Sequence, residues 1–267
     1  MNRFSKLLSS SLASGLLLSG CGGDSFLGQF SEAQEIQIGQ QAHAELIAET
    51  PLFQDPTVSS YVNAIGSELV AKSGRPNLQH QFFVLDTPEI NAFAIPGGYV
   101  YVTTALIKNM KTRAELAGVM GHEVGHISAY HGAEAIQTNL GLSILSGIFL
   151  GEGEAAEVLN FVVGSYLNTA HSQEQELEAD ELGVEYSSAA GYNPWGLVDF
   201  FGFIGDLSGT SDPVSDFLSS HPAPTERISE ASAQIEKLGI AKDDPKYEYQ
   251  DNQFLQIRDI VIAGSAN

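Results

Sequence analysis

Residues 118–132, which read GVMGHEVGHISAYHG, place one carboxylate between two imidazoles inside an otherwise apolar run. Charged groups in apolar surroundings cost free energy unless a partner compensates them. On a helix each residue advances by about 100°, so His122 and His126 share a face and could bind one ion. Glu123 lies about 100° round from His122, beside that ion, where it could polarise a bound water. The alternative is a chance match on a solvent-facing helix.

The composition restricts both the partners and the ligands. The 267 residues are 43% hydrophobic, which is typical of one medium-sized domain with a substantial core. With 33 acidic and 12 basic residues the formal net charge is −21, so the chain repels phosphate backbones and we expect no nucleic-acid partner. Cys21 is the single cysteine, which excludes an internal disulfide. If Cys21 is also acylated, as its sequence context predicts, no thiolate remains and any metal must be held by His, Asp or Glu.

The N-terminus has the pattern of a secretory signal. Arg3 and Lys6 precede a Leu/Ser/Ala stretch that is too short and too interrupted to span a bilayer. Residues 18–21, LSGC, resemble the lipobox of bacterial lipoproteins, which implies cleavage before Cys21 and acylation of that residue. We predict a lipoprotein signal peptide over residues 1–20, then a lipidated cysteine and tether over 21–30. The alternative is an ordinary signal with a stray cysteine.

The remaining chain reads as mostly helical with a small sheet, an α+β fold class. Ser31 with Gln34 predicts a capping box, and Gly191 predicts a helix end. Apolar spacing predicts helices over 31–49, 57–73, 112–131, 134–150, 154–167, 173–190 and 225–238. Runs rich in β-branched and aromatic residues predict strands over 81–86 and 98–103. The apolar run 254–262 could be strand or helix.

A hydrolytic zinc site needs a third protein ligand. Glu176 and Asp180 share one helix face, so Glu176 could bind the ion while Asp180 holds a ligand histidine's free ring nitrogen or a basic group. The alternative is that this acidic helix is only a solvated face. His131 lies five residues beyond His126, about 140° away on a continuous helix, so we expect a surface or capping residue rather than a ligand. The glycines at 121 and 125 predict close packing by another element.

Four blocks of sequence in order resemble a known family. They are ELAGVMGHEVGHISAYHGAE (115–134), EQELEADELGVEY (174–186), NAFAIPGGYVYVTTALI (91–107) and SSHPAPTERI (219–228). They look like the HtpX- and BepA-like zinc metallopeptidases, which include the CAAX prenyl proteases. The resemblance implies a gluzincin-like domain over residues 31–238, a C-terminal extension over 239–267, and one Zn²⁺ per chain. It also implies that Glu176 is the third ligand and that Asp180 supports the site.

The resemblance assigns roles to two further blocks. The strand that contains Tyr99, Val100, Tyr101 and Val102 looks like the family's exposed edge strand. It would pair with an extended substrate beside the helix that carries residues 122–126, the HExxH motif. His221 and Arg227 fall in the HP-containing block, and they would either stabilise the oxyanion or cover the zinc in a resting state. Without the resemblance, His221 reads as a loop residue and Arg227 as a surface ion-pair partner.

The sequence therefore predicts a zinc-dependent endopeptidase with Glu123 as the general base. We expect it to be anchored by lipid at the outer membrane, facing the periplasm, where it would cleave unfolded or misassembled exported and outer-membrane proteins. Outer-membrane assembly machinery is a further expected partner. One alternative is a chaperone-like or assembly factor that keeps the zinc fold but cleaves rarely. The other is a structural zinc site with His221 as a permanent fourth ligand.

Overall fold

In the computed structural model, which describes residues 31–136, 138, 171–207, 215–221 and 224–265, helices surround a three-stranded sheet. The α+β prediction with mostly helices is confirmed. The elements are α1 (Glu32–Glu49), α2 (Pro56–Val70), β1 (Gln81–Leu85), β2 (Ala92–Ile95), β3 (Tyr99–Thr103), α3 (Thr104–Asn109), α4 (Arg113–Ser128), α5 (Gln173–Ala190), α6 (Trp195–Leu207), α7 (Ser215–Ser220), α8 (Pro224–Lys237) and α9 (Asn252–Gly264).

The capping signals in the sequence are confirmed. The Ser31 side chain accepts from the backbone N–H of Gln34, whose own side chain returns to Ser31 in a capping box. Helix α5 begins with the same device at Ser172 and ends at Gly191, which has a φ of 93°. Glycine adopts this left-handed conformation without the steric cost that a side chain brings. Both boundaries of the ligand-bearing helix α5 are therefore set by local chemistry.

The prediction that the strand from Tyr99 to Val102 is an exposed edge is wrong. The strand order is β1-β3-β2, so β3 is the central strand, and all five of its residues are buried. The turn Pro96-Gly97-Gly98 joins β2 and β3 as an antiparallel pair, and β1 occupies the other side of β3 in parallel. Among the described strands, β2 is the edge strand that packs beside α4. No strand was predicted at the position of β2.

Helix α4 lies at the centre of the fold. Every residue from Ala114 to Ile127 is buried, with α5, α6 and α2 packed around it. The approach of α5 is very close, because a Cβ on Gly183 would lie 2.9 Å from the backbone nitrogen of His122. A Cβ on Gly125 would lie 2.8 Å from the carbonyl oxygen of Ala179. The predicted close packing at the glycines of α4 is thus observed.

The C-terminal residues share the same core. The ambiguous run 254–262 is helical, and α9 buries Phe254, Ile257 and Val261 in the main hydrophobic cluster. Helices α3, α6 and α7 were not predicted. None of the helices in the described ranges is long and apolar enough to cross a membrane.

Several predictions fall outside the described residues. They are the signal peptide over 1–20, Cys21 and the tether over 21–30, the helix over 154–167, and nearly all of the helix over 134–150.

Candidate metal centre

Four buried side chains from three separate parts of the chain converge on one point. His122 and His126 come from α4, Glu176 comes from α5, and His221 directly follows α7. One donor atom from each residue lies within 4.8 Å of all the others. Imidazole and carboxylate donors are ligands that suit Zn²⁺. The sequence-predicted set of three therefore meets in space, and His221 joins it.

The spacing of the donor atoms fits a tetrahedral ion. The Nε2 atoms of His122 and His126 are 3.0 Å apart, and Glu176 Oε1 is 3.3 Å from His126 Nε2. Glu176 Oε2 is 3.7 Å from His122 Nε2. Bonds of about 2.0–2.1 Å to a tetrahedral zinc separate neighbouring ligand atoms by roughly 3.3 Å. The observed separations bracket that value, so a small divalent ion fits between these atoms.

Glu123 lies beside this cluster, as its position on the helix requires. Its carboxylate is 1% exposed, and Oε1 has no hydrogen-bond partner among the described residues. The Nε2 atom of His221, also without a partner there, is 3.7 Å from that oxygen. Burial raises the pKa of Glu123, although His221 and His122 oppose the shift. A buried carboxylate with a raised pKa is suited to accept a proton near neutral pH.

Asp180 makes both of the contacts considered from the sequence. Its Oδ1 atom is 2.8 Å from Nδ1 of His122, so it accepts from the nitrogen that does not face Glu176. Arg227 donates to the same carboxylate from Nε and from its terminal nitrogen, each at 2.7 Å. Burial opposes ionisation of Asp180, but the hydrogen bond and charge of Arg227 outweigh it and lower the pKa. A charged Asp180 therefore fixes the ring of His122.

Arg227 is buried, and it is not the surface ion-pair partner that the sequence predicts when the family resemblance is left aside. It is 2% exposed, and its NH1 atom is 2.5 Å from Glu176 Oε2. Its guanidinium lies over the ring of Phe201, 4.2 Å from the centroid. Arg227 thus joins α8 to both carboxylates of α5 at the site.

His221 is the fourth member of the cluster of donor atoms. Its Nδ1 atom is 3.0 Å from Glu176 Oε1 and 3.3 Å from His122 Nε2. The backbone N–H of His221 donates to the Phe217 carbonyl at 2.8 Å, and the two rings lie 4.9 Å apart. Burial lowers the pKa of His221, but the charges of Glu176 and Glu123 outweigh that effect and raise it.

Comparison with known proteins identifies the family. The family model described as Peptidase family M48 matches residues 56–235, which include all of the clustered side chains. The chain belongs to peptidase family M48. It is 30% identical over 219 residues to the β-barrel assembly-enhancing protease of Escherichia coli O157:H7, covering 78% of this chain and 45% of that protein. The chain therefore spans about half the length of such relatives.

Two further relatives cover different shares. The mitochondrial metalloendopeptidase OMA1 of Arabidopsis thaliana is 34% identical over 176 residues, covering 65% of this chain and 36% of that protein. The metalloprotease LoiP of Escherichia coli K12 is 28% identical over 224 residues, covering 79% of this chain and 84% of that protein. All three relatives bear names of proteases, and two of those names specify a metal-dependent enzyme.

Two histidines in this M48 domain were misjudged or missed in the sequence. His131, expected at the surface or at a cap, is 2% exposed, and its Nδ1 atom is 2.8 Å from Nδ1 of His126. His171 stacks on His126 with ring centroids 4.1 Å apart, and burial lowers its pKa to about 3. Five of the seven histidines meet in this region. Three of the five lie within ten residues of the sequence, but no local pattern connected His171 with them.

A cleft of about 310 Å³ opens beside the M48 site. It is lined by Glu123, His171 and His221 together with Phe93 and Ala94 of β2. The Asn91 carbonyl accepts from the N–H of Thr103, so the alternation of an antiparallel pair directs the backbone groups of residues 92 and 94 away from β3. The cleft is therefore bordered by an edge strand, β2, in place of Tyr99, Val100, Tyr101 and Val102.

Proposed function

We propose that this protein is a zinc-dependent endopeptidase, anchored by lipid and facing the periplasm, that hydrolyses peptide bonds in unfolded or misassembled exported and outer-membrane proteins. The observation that carries the proposal is the position of Glu123. Its buried carboxylate lies beside the cluster of donor atoms and borders the cleft along which a peptide could lie. Once His221 moves aside, three protein ligands and an adjacent base remain, which is the composition of a hydrolytic rather than a structural zinc centre.

In the proposed mechanism Glu123 is the general base. It takes a proton from the water that attacks the scissile carbonyl, and it then passes that proton to the leaving amine. A zinc ion held by His122, His126 and Glu176 supplies Lewis acidity for this chemistry. The raised pKa of Glu123, caused mainly by burial, supports a residue that alternates between the charged and the protonated form.

His221 and Arg227 have distinct parts in the proposal. His221 covers the site in a resting state, because its Nδ1 atom is 3.0 Å from Glu176 and belongs to the same group of donor atoms. Displaced towards the cleft, its imidazole could donate to the oxyanion of the substrate. Arg227 holds Glu176 and Asp180 in place through its contacts at 2.5 and 2.7 Å.

The proposed substrate is an extended, unfolded segment of polypeptide. An added strand at β2 would bind through main-chain hydrogen bonds from residues 92 and 94, which impose little sequence preference. The side chains of the cleft are mixed, with Phe93 and Ala94 beside Asn91 and Thr103. Such a site suits an enzyme that selects for an accessible backbone rather than for a particular residue.

The proposed location rests on the N-terminal sequence and on the names of relatives. Cys21 in the LSGC pattern would carry the lipid, and Gly22 at the following position is typical of lipoproteins sorted to the outer membrane. Several relatives are named β-barrel assembly-enhancing protease, which suggests misassembled outer-membrane proteins as substrates and the assembly machinery as a partner.

Metabolic labelling with palmitate tests the proposed lipid anchor. The label should enter the wild-type protein and should not enter the Cys21→Ser variant. Equal labelling of the two proteins would contradict the anchor.

The Glu123→Gln variant tests the proposed chemistry. The amide preserves the shape of the side chain but cannot accept the proton, so hydrolysis of unfolded casein should fall by about 10²–10⁴-fold while bound zinc is retained. A matched control is Glu185→Gln, an exposed residue of α5, which should leave both quantities unchanged. Casein fragments and zinc content by elemental analysis are the measurements. Wild-type hydrolysis in Glu123→Gln would reject the assigned base.

A chaperone-like binding protein is the second candidate, because the described conformation has His221 within the ligand cluster. The same experiment distinguishes it. Chelator-sensitive fragments from the wild type support the protease. If the wild type binds zinc and suppresses casein aggregation without producing fragments, the binding role is favoured.

A further inference from the structure

Tyr130 has a backbone conformation that its residue type rarely adopts. Its φ is 61°, and among the described residues it is the one non-glycine with a positive φ. Bulky side chains avoid this region because Cβ crowds the backbone, so the surrounding structure must hold it there. The turn ends α4 after Ser128 and starts a new helical turn at His131. This unfavourable turn directly follows α4, the helix that carries His122 and His126.

Arg75 holds that turn in place. Its guanidinium lies 4.2 Å from the centroid of the Tyr130 ring, and its NH1 atom donates to the Ile127 carbonyl at 3.2 Å. Both of its terminal nitrogens also reach the buried carboxylate of Glu35, at 2.9 and 2.8 Å. Arg75 therefore ties the end of α4 and the Tyr130 turn to α1.

The turn brings His131 to the metal ligand His126. On a continuous helix the two residues would point about 140° apart. Instead their Nδ1 atoms are 2.8 Å apart, and His131 is 2% exposed. The other ring nitrogen of His131, Nε2, lies 3.3 Å from Oε2 of Glu178. His131 thus stands between a ligand histidine and a carboxylate of α5.

The orientation of each ring decides which nitrogen carries the proton in the series His126, His131 and Glu178. His126 directs Nε2 at His122 and Glu176, so a metal there leaves the proton of His126 on Nδ1. That N–H must donate to His131 Nδ1, which then acts as an acceptor. His131 carries its own proton on Nε2 and donates it to Glu178. The two hydrogen bonds therefore run in the same direction, from His126 to His131 and from His131 to Glu178.

We propose that His131 is a positioning residue that fixes the ring and tautomer of His126 for metal binding, with Glu178 fixing His131 in turn. The proposal rests on the proposed function insofar as His126 binds the ion. Ligand histidines generally donate their second N–H to a carboxylate, a carbonyl or water, and loss of that partner weakens metal binding by about 10–100-fold. Here the second nitrogen of His122 is hydrogen-bonded directly to the carboxylate of Asp180. The second nitrogen of His126 is connected to the carboxylate of Glu178 through the imidazole of His131.

The test compares zinc affinity among variants of the full chain by competition with a chromophoric chelator. His131→Leu removes the acceptor and should weaken zinc binding by about 10–100-fold. His131→Asn places an amide oxygen near the position of Nδ1, so it should restore most of the affinity. Glu178→Ala should weaken binding by a smaller factor, while Glu174→Ala, an exposed neighbour on α5, should not. Thermal unfolding of the metal-free proteins separates a lost ligand support from a damaged fold.

Nuclear magnetic resonance of the histidine nitrogens gives an independent readout on the zinc-loaded wild type. We expect the proton on Nδ1 of His126 and on Nε2 of His131. A proton on Nδ1 of His131 would overturn the proposal even if the Leu variant failed to fold, and so would unchanged zinc affinity in a folded His131→Leu. A wild type that binds no zinc would instead contradict the proposed function itself.

Discussion

The helix pair α4 and α5 is packed differently from the facing elements, which are β2 and residues 215–221. Helix α4 borders the cleft through Glu123, and the facing elements border it through β2 and His221. The helix pair approaches backbone to backbone, with no space for a Cβ at Gly183 or Gly125. The facing elements contribute an edge strand and a histidine that follows the six-residue helix α7. Three donor atoms of the candidate metal site thus come from the tightly packed pair, and the fourth comes from the facing elements.

This difference suggests that the site has a fixed part and an exchangeable part. His122, His126 and Glu176 are buried on two helices that are packed together through their main chains. His221 is held by local contacts with Phe217 and by the cluster itself, and its Nε2 has no partner in the described residues. A ligand that leaves with little disruption is suited to admit substrate.

The largest effect should come from Arg227, which reaches from α8 to the buried carboxylates of Glu176 and Asp180 on α5. Arg227→Met leaves the buried carboxylate of Asp180 without its guanidinium partner, so the metal-free protein should lose roughly 3–5 kcal/mol of unfolding free energy. Chemical denaturation measures the change. Lys237→Met, an exposed residue of the same helix α8, is the control and should stay within about 0.5 kcal/mol. A loss as small as that of the control would show that Arg227 does not stabilise the buried carboxylate of Asp180.

The packing of the helix pair can be tested at Gly183. The added methyl of Gly183→Ala would lie 2.9 Å from the His122 nitrogen, so we expect about 1–3 kcal/mol of destabilisation and weaker zinc binding. Gly202→Ala is the matched control, because no atom lies within 4 Å of its Cβ and alanine favours the helix by up to about 1 kcal/mol. The two substitutions should therefore shift the melting temperature in opposite directions. Equal shifts would mean that the helix contact yields easily.

The exchangeable part can be tested at His221. His221→Ala should keep its zinc, because three ligands remain, and should hydrolyse unfolded casein severalfold faster because nothing covers the site. The comparison with the wild type is made at matched zinc content. A fall in turnover would instead assign His221 to stabilisation of the oxyanion, and loss of zinc would move it to the fixed part.

The smallest effect is expected at β2. Ala94→Pro removes an N–H that points away from β3, so it spares the ladder but deletes one donor to a bound substrate strand. One hydrogen bond is worth about 0.5–1.5 kcal/mol, which corresponds to a rise in KM of about two- to twelvefold. Ala94→Gly keeps the N–H and serves as the control. An unchanged KM in the proline variant would place the substrate backbone elsewhere.

The sequence was most informative where chemistry is local. Capping residues predicted the end of α5 and the start of α1, and the HExxH spacing placed His122 and His126 together with Glu123 beside them. The order of the strands was not predictable in the same way. β2 has only four residues, so no alternating pattern marks it. The family resemblance predicts an edge at β3, although the YVYV run of β3 is typical of a strand buried on both faces.

His131 shows why angular reasoning on a helix has a limit. The expected 140° separation from His126 assumed that α4 continues, but the positive φ of Tyr130 ends the helix and turns the chain back. Tyrosine gives no local signal for that conformation, because the contacts that hold it come from Arg75 and Glu35, more than fifty residues away in the sequence. Residues positioned by distant contacts are those that a single sequence does not reveal.

Helix α5 supplies Glu176, Glu178 and Asp180 from one turn and a half of rigid backbone, and each of them touches a different histidine of the cluster. A displacement of α5 by the rise of a single residue, about 1.5 Å, would disturb all three contacts at once. A substitution that shifts α5 along its axis should therefore weaken metal binding by more than the loss of any one of these contacts.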